Sequence, residues 1–178
     1  MKPVEIVFLV IGIVLAVILF FYLVILTVDL VFFFSFKSYW KKHKKGLEVV
    51  LKMKHENLIR ILDIFKTNKM QVDNRIRQTL LDMDPKCFAE LDTEESKKCR
   101  NDLSVIRDEI FYIANQNGHI VVNEEFLLAK ENVLEQDVLF RKCLAMYNAD
   151  VLGYNYWAQF KPCRFIYKFF KVKEKEII

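Results

Sequence analysis

The run from Val4 to Phe36 constrains the fold more than any other part of the chain. It reads VEIVFLVIGIVLAVILFFYLVILTVDLVFFFSF, with Glu5 and Asp29 as its only charged side chains. Ile6 to Val28 carries no charge at all. A bilayer core about 30 Å thick needs roughly 20 apolar residues at about 1.5 Å of helical rise each. The uncharged stretch is long enough to span, and a soluble helix has no reason to be apolar on every side over such a length. The competing reading is a secretory signal peptide. It would have Lys2 as its only charged leader residue, an apolar core well beyond the usual length of roughly 7–15 residues, and no small-x-small cleavage site after Val28. The expectation is an uncleaved anchor that spans from about residue 4 to residue 28.

The flanks give this anchor a direction. Lys2 alone precedes it, whereas Lys37, Lys41, Lys42, Lys44 and Lys45 follow it, with His43 among them. Lysines close to a span mark the cytoplasmic side, so the rest of the chain is expected there, attached to a cell membrane. The same lysines would be drawn to anionic headgroups, making the bilayer the first expected partner. Phe32, Phe33, Phe34 and Phe36, then Tyr39 and Trp40, suit an interfacial belt. Asp29 reads either as a buried proton site or as an interfacial carboxylate. The span is longer than the bilayer requires, which favours the interface.

The chain thus divides into an anchor with its aromatics at 1–36, a basic segment at 37–46, a main domain at 47–160 and a basic aromatic tail at 161–178. Four glycines and three prolines are too few for a many-turned β fold and favour long helices with few links. The net charge of +4 is concentrated beside the anchor and in the tail, a pattern for a membrane surface more than for nucleic acid. Cys87, Cys99, Cys143 and Cys163 form no C-x-x-C pair and are expected as free thiols, two disulfides being the alternative on export.

Helical spacing organises the main domain. Leu47, Leu51, Leu58, Ile61, Leu62 and Phe65 form one stripe, interrupted by Lys54, on a helix expected to continue from the anchor to about Asn68. Val72, Ile76, Leu80 and Met83 mark a second helix ending near Asp84-Pro85. After a connection at Lys86 to Leu91, a capping box headed by Asp92 would open a third helix. That helix carries Leu103, Ile106, Ile110 and Ile113 inward and would stop at the C-cap pair Asn117-Gly118. His119 to Val122 then crosses to Asn123, which caps the last long helix. Its seam runs Phe126, Val133, Phe140, Leu144, Tyr147, Val151, Tyr154 and Ala158, broken only by Lys130 and Asp137. The expected fold is all-α, a transmembrane helix followed by an antiparallel four-helix bundle.

Two motifs stand out on that last helix. Tyr147-Asn148-x5-Tyr154-Asn155-x6-Pro162, preceded by Asn123-Glu124-x-Phe126-Leu127, resembles the C-terminal signature of the LemA family. Leu51-Lys52-Met53-Lys54-His55-Glu56-Asn57-Leu58-Ile59 resembles that family's L-K-R-R-x-D-L-I-P segment, and the N-terminal anchor fits it too. The chain departs from the pattern where Ile59 and Arg60 occupy the region of the family's proline and where Asp137 replaces a usual glutamate. The resemblance implies a diverged bacterial member, a LemA-like helical bundle on a membrane anchor, with no reaction assigned to it.

The two Tyr-Asn pairs lie two turns apart on one face. In one reading the rings fill the seam while the hydroxyls and the asparagine amides find hydrogen-bond partners across helices. In the other, Asn123, Phe126, Tyr147, Asn148, Tyr154, Asn155 and Pro162 belong to a groove for a peptide or a partner helix. The tail also reads two ways. Were it helical, Arg164, Lys168, Lys171 and Lys175 would share a face beside Phe165, Phe169 and Val172, either lying on the membrane surface or packing its rings on the bundle.

His43, His55 and His119 are scattered and no phosphate-cradling loop occurs, so no catalytic residue, metal or cofactor is expected. The expected function is non-enzymatic, a scaffold or adaptor for another membrane protein. The alternatives are a membrane-surface or membrane-remodelling protein and a regulatory subunit of a membrane enzyme. No nucleic-acid partner is expected, and self-association stays open.

Overall fold

The computed structural model describes residues 3–89, 93–160, 164–169 and 172–178, apart from the side chains of Glu5, Phe165, Ile166 and Phe169. Among these residues the chain is all-helical, with no strand. Helix α1 runs from Pro3 to Thr67, α2 from Asn74 to Asp82, α3 from Glu94 to Asn115, α4 from Gly118 to Val121, α5 from Glu124 to Ala158 and α6 from Arg164 to Phe169. The chain falls into two compact units, Met1–Tyr39 with Ala149–Ile177, and Trp40–Asn148 with Ile178.

In the first unit, α1 begins as a helix with its apolar side chains outward. Phe8 is 70% exposed and Leu15 61%, and Val14, Ile18 and Phe21 are exposed too. Within Ile6–Thr67 lies a stretch with the length and composition to cross a membrane, and none of that stretch is buried. Exposed apolar surface on this scale is unfavourable in water at about 25 cal/mol per Å2, so the helix calls for a lipid solvent or an equivalent cover.

Past that stretch, α1 acquires protein contacts. Phe33 is buried, with its ring 4.9 Å from that of Tyr154 and 4.6 Å from that of Tyr167. Phe32 stacks on Trp157 at 4.9 Å. Of the expected aromatic belt, Phe34 and Tyr39 remain exposed, whereas Phe33 fills a core. Close approach of α5 here depends on Gly153, where an added Cβ would stand 2.5 Å from the Phe36 ring.

In the second unit, α1 continues unbroken through Gly46, and its stripe faces inward: Leu47, Leu58, Ile61 and Phe65 are fully buried. The helix ends where Lys69 adopts the left-handed conformation, with φ of 54°. The Met70 amide donates to the Phe65 carbonyl at 2.9 Å and the Lys69 amide to the Lys66 carbonyl at 3.1 Å, the two bonds of a Schellman stop. Asp73 caps α2, accepting from the Arg75 amide, and Ile76 and Leu80 are the buried residues of that helix. His55 donates through Nε2 to the Leu80 carbonyl at 2.7 Å, satisfying a carbonyl in the last turn of α2. The connection after Pro85 tightens into one 3-10 turn, Pro85–Phe88, that buries Phe88.

Three local expectations are corrected. The cap of α3 is Thr93, whose hydroxyl accepts from the Ser96 amide at 3.2 Å; Asp92, expected to head a capping box, lies outside the described residues. The threonine has the β-branched hydroxyl and extended backbone a cap requires, one position later than expected. Asn117-Gly118 does not close α3. That helix ends at Asn115 with Gln116 as its cap, and Gly118, at negative φ, starts the single turn α4. Ala114 takes the fully buried place expected of Ile113, which is half-buried. The cap of α5 is Asn123, whose Oδ1 accepts from the Phe126 amide at 2.9 Å.

Candidate functional site

Lys54 and Asp137 interrupt two apolar stripes, and in the second unit each supplies the other's partner. Lys54 Nζ is 2.6 Å from Asp137 Oδ1, with its side chain 6% exposed. Arg107 from α3 bonds the other oxygen of Asp137 and also reaches Asp108. One carboxylate of α5 therefore ties together α1 and α3. Burial pushes the Lys54 ammonium below its ordinary value, only partly opposed by the hydrogen bond and charge of Asp137. Burial acts against Arg107 as well, but its bonds to Asp137 and Asp108 prevail and hold its guanidinium above the ordinary value. Lys130, the other break in the seam, lies over the Phe111 ring at 5.6 Å and the Phe126 ring at 6.0 Å, as a cation-π contact. Every break in the seam is thus a specific contact.

The motif residues separate by role. Asn123 is a cap, and Phe126 is fully buried 6.0 Å from the Phe65 ring. Tyr147 and Tyr154 are 1% and 5% exposed, so their rings do fill the core. Tyr147 meets Trp40 edge-on in the second unit, and Tyr154 meets Phe33 in the first. The asparagines do something different. Asn155 Nδ2 donates to the Lys175 carbonyl at 2.8 Å while its Oδ1 accepts from the Lys175 amide at 2.9 Å. Asn148 repeats the arrangement on Ile178, donating to its backbone oxygen at 2.8 Å and accepting from its amide at 3.1 Å. Each amide side chain thereby matches the donor and the acceptor of one residue's main chain. Pro162 lies outside the described residues.

Among the described residues of the tail, Arg164–Phe169 is helical and residues 172–178 form no helix. Lys175 therefore does not share a helical face with Arg164 and Lys168. The Val172 amide closes back on the Tyr167 carbonyl at 3.0 Å, and Asn155 then takes up the main chain that a helix would have used. Tyr167, which the sequence did not single out, holds this segment: it is buried and donates its hydroxyl to Asp29 Oδ2 at 2.6 Å.

Asp29 is the other half of that contact. It is fully buried in protein, and its Oδ1 has no hydrogen-bond partner among the described residues. A lone carboxylate in an apolar run was the visible signal, but its partner lies 138 residues away, beyond any spacing rule.

The basic residues lie at the surface to different degrees. Lys41, Lys42, Lys45, Arg164 and Lys168 are exposed, Lys37 and Lys44 are half-buried, and Lys171 lies outside the described residues. Cys87, Cys99 and Cys143 are free. Burial, with the neighbouring Cys99 thiol, pushes the Cys87 thiol up to about 12, so at neutral pH it is a weak nucleophile. No group of three or more His, Cys, Asp or Glu side chains able to hold a metal ion occurs among the described residues. What the arrangement can do chemically is hold polypeptide main chain through Asn148 and Asn155. Compared with models of known protein families, with curated proteins and with solved structures, the chain finds no match.

Proposed function

We propose that the chain is a non-enzymatic adaptor anchored in a cell membrane, with its helical domain on the cytoplasmic side recruiting another membrane protein. The observation that carries this reading is the continuity of α1. One helix begins with outward apolar residues such as Phe8 and Leu15 and ends as a helix whose Leu58, Ile61 and Phe65 are fully buried. A bilayer span joined in this way to a packed domain holds that domain at the membrane and leaves its surface for other proteins. In this reading α1, α2, α3 and α5 supply an antiparallel four-helix bundle of the LemA kind, with Asp137 in place of the family's usual glutamate.

The test is photocrosslinking in cells from Leu134 and Val138, which are 47% and 58% exposed on α5. Capture of a discrete membrane protein from these positions supports the adaptor. Absence of any protein adduct from these and other exposed positions of the domain overturns it.

The exposed Lys41, Lys42, Lys45, Arg164 and Lys168 favour a second reading, in which the domain itself works on anionic lipid. That reading requires the detergent-solubilised protein to bind vesicles containing phosphatidylserine in a salt-sensitive way, with no protein partner present.

A further inference from the structure

The turn that joins α1 to α2 borders a cavity of about 440 Å3, open to solvent on one side and lying wholly within the second unit. Small-ligand clefts commonly measure about 300–1,000 Å3, so the space is of ligand size. Three cations line it: Lys66 from the last turn of α1, Lys69 from the turn itself and Arg77 from α2. Its apolar lining is Leu62, which is buried, with Met70 and Val72, which are half-buried. No carboxylate lines it.

The three cations form no ion pair with any described residue. Two carboxylates flank the turn, and both are directed elsewhere. Asp73 caps α2, accepting from the Arg75 amide, and lines a different cavity between α2 and α3. Asp63 is exposed on α1, three residues before Lys66. Charge of a single sign gathered over apolar walls focuses its field on the cleft and draws in a counter-ion. The end of α1 does not present bare carbonyls against an anion either. Those of Ile64, Phe65 and Lys66 accept from the amides of Asn68, Met70 and Lys69.

Lys69 carries a second, independent sign. It is the one non-glycine residue with a positive φ, 54°, among the described residues. That place at a helix end suits glycine, and any longer side chain is disfavoured there. Strain that persists where a better-fitting residue exists marks a position whose side chain is used. The side chain kept at this position is one of the three that line the cavity.

We propose that this cavity binds an organic phosphate. Lys66, Lys69 and Arg77 hold the dianionic head, and Leu62, Met70 and Val72 take the apolar part. Phosphate suits these residues better than a carboxylate does. It brings more charge and more oxygens to three cations, and a guanidinium grips two of those oxygens as a fork. A soluble phosphate ester and a phosphatidic acid headgroup share this chemistry. The site stands apart from the adaptor reading, and neither depends on the other.

The probe is phenyl phosphate, titrated calorimetrically into the full chain held in phosphatidylcholine nanodiscs, with benzoate and inorganic phosphate as comparisons. Phenyl phosphate binds about tenfold or more tighter than benzoate, which presents a single charge. It binds about threefold or more tighter than inorganic phosphate, which lacks the ring. Arg77→Gln weakens phenyl phosphate by about tenfold or more. Lys69→Gly weakens it similarly while raising the denaturant midpoint, which separates lost binding from lost folding. Lys69→Arg keeps the charge and holds the affinity within about threefold. Lys142→Gln, exposed on α5 and outside the cavity's lining, changes the affinity by less than about twofold. Phosphatidic acid added to the nanodisc competes with the probe where the natural source is a headgroup, and leaves it undisturbed where the source is a soluble ester; both results keep the site. The proposal is overturned by absent binding of phenyl phosphate, by equal binding of benzoate or inorganic phosphate, by Arg77→Gln and Lys69→Gly chains that bind as the natural one does, or by an equal loss in Lys142→Gln.

Discussion

Asp137 shows how much one side chain can be asked to do in a helical core. It pairs with Lys54 through one oxygen and with Arg107 through the other, with only 14% of its own side chain exposed. Removing it leaves the Lys54 ammonium buried without its carboxylate and Arg107 with Asp108 alone, and breaking a buried pair in this way typically costs about 3–5 kcal/mol. Asp137→Ala is therefore expected to lower stability by that amount in chemical unfolding, and Asp137→Asn by nearly as much. Lys54 gives a pH signature of its own. Its folded value lies below 10.5, so between that lowered value and 10.5 the unfolded chain binds more protons than the folded one. Stability then rises with pH across that alkaline window, and Lys54 adds no pH dependence below it. Lys54→Met removes this rise, which melting temperatures of the two proteins from pH 7 to the alkaline side would show as a diverging difference. From sequence, Lys54 and Asp137 were both visible as flaws in apolar stripes. Their pairing was not, because 83 residues separate them and helical periodicity says nothing about which faces meet.

At the level of elements, helix ends and helix contacts carry separate demands on single residues. Lys69 closes α1 in the left-handed region, where a side chain costs roughly 1 kcal/mol and glycine does not. Lys69→Gly is expected to stabilise the protein by about 0.5–1 kcal/mol, read as a shift in the denaturant midpoint. Gly153 has the opposite logic. In an isolated helix Gly→Ala gains about 1 kcal/mol, but here the new methyl meets the Phe36 ring at 2.5 Å. Overpacking typically costs about 1–3 kcal/mol, so Gly153→Ala is expected to destabilise despite the better helix former, and adding Phe36→Leu should recover part of the loss. The caps divide on similar lines. Asn123 was legible because an asparagine followed by Glu124, Glu125 and an apolar seam is a complete local signal. The stop of α1 was placed within a residue or two, but its mechanism was hidden, since nothing in Asn68-Lys69-Met70 announces a left-handed lysine. The end of α3 was misplaced because Asn117-Gly118 is as good a start for a turn as it is a stop for a helix.

For the molecule as a whole, the apolar N-terminal stretch and the tail obey different sources of information. Membrane attachment of the kind proposed makes two measurable demands. The protein should resist extraction by alkaline carbonate and yield to detergent, and a protease added outside intact cells should leave the domain uncut. Replacing Lys41, Lys42, Lys44 and Lys45 by glutamine while adding lysines before Pro3 should expose the domain to that protease in a substantial share of molecules, because orientation follows the lysine imbalance. The α-helical class, the long helices, the apolar span and most of the core stripes were determined by the sequence alone, since they rest on periodicity and composition that act within a few turns. Tertiary structure decided the rest. It paired Lys54 with Asp137, buried Asp29 under Tyr167, turned Phe33 from a belt residue into core, and aimed Asn148 and Asn155 at the main chain of residues 175 and 178. The physical reason is common to all four. A polar or aromatic side chain declares its need for a partner locally, but the partner is selected by packing, which brings together residues that no spacing along the chain relates.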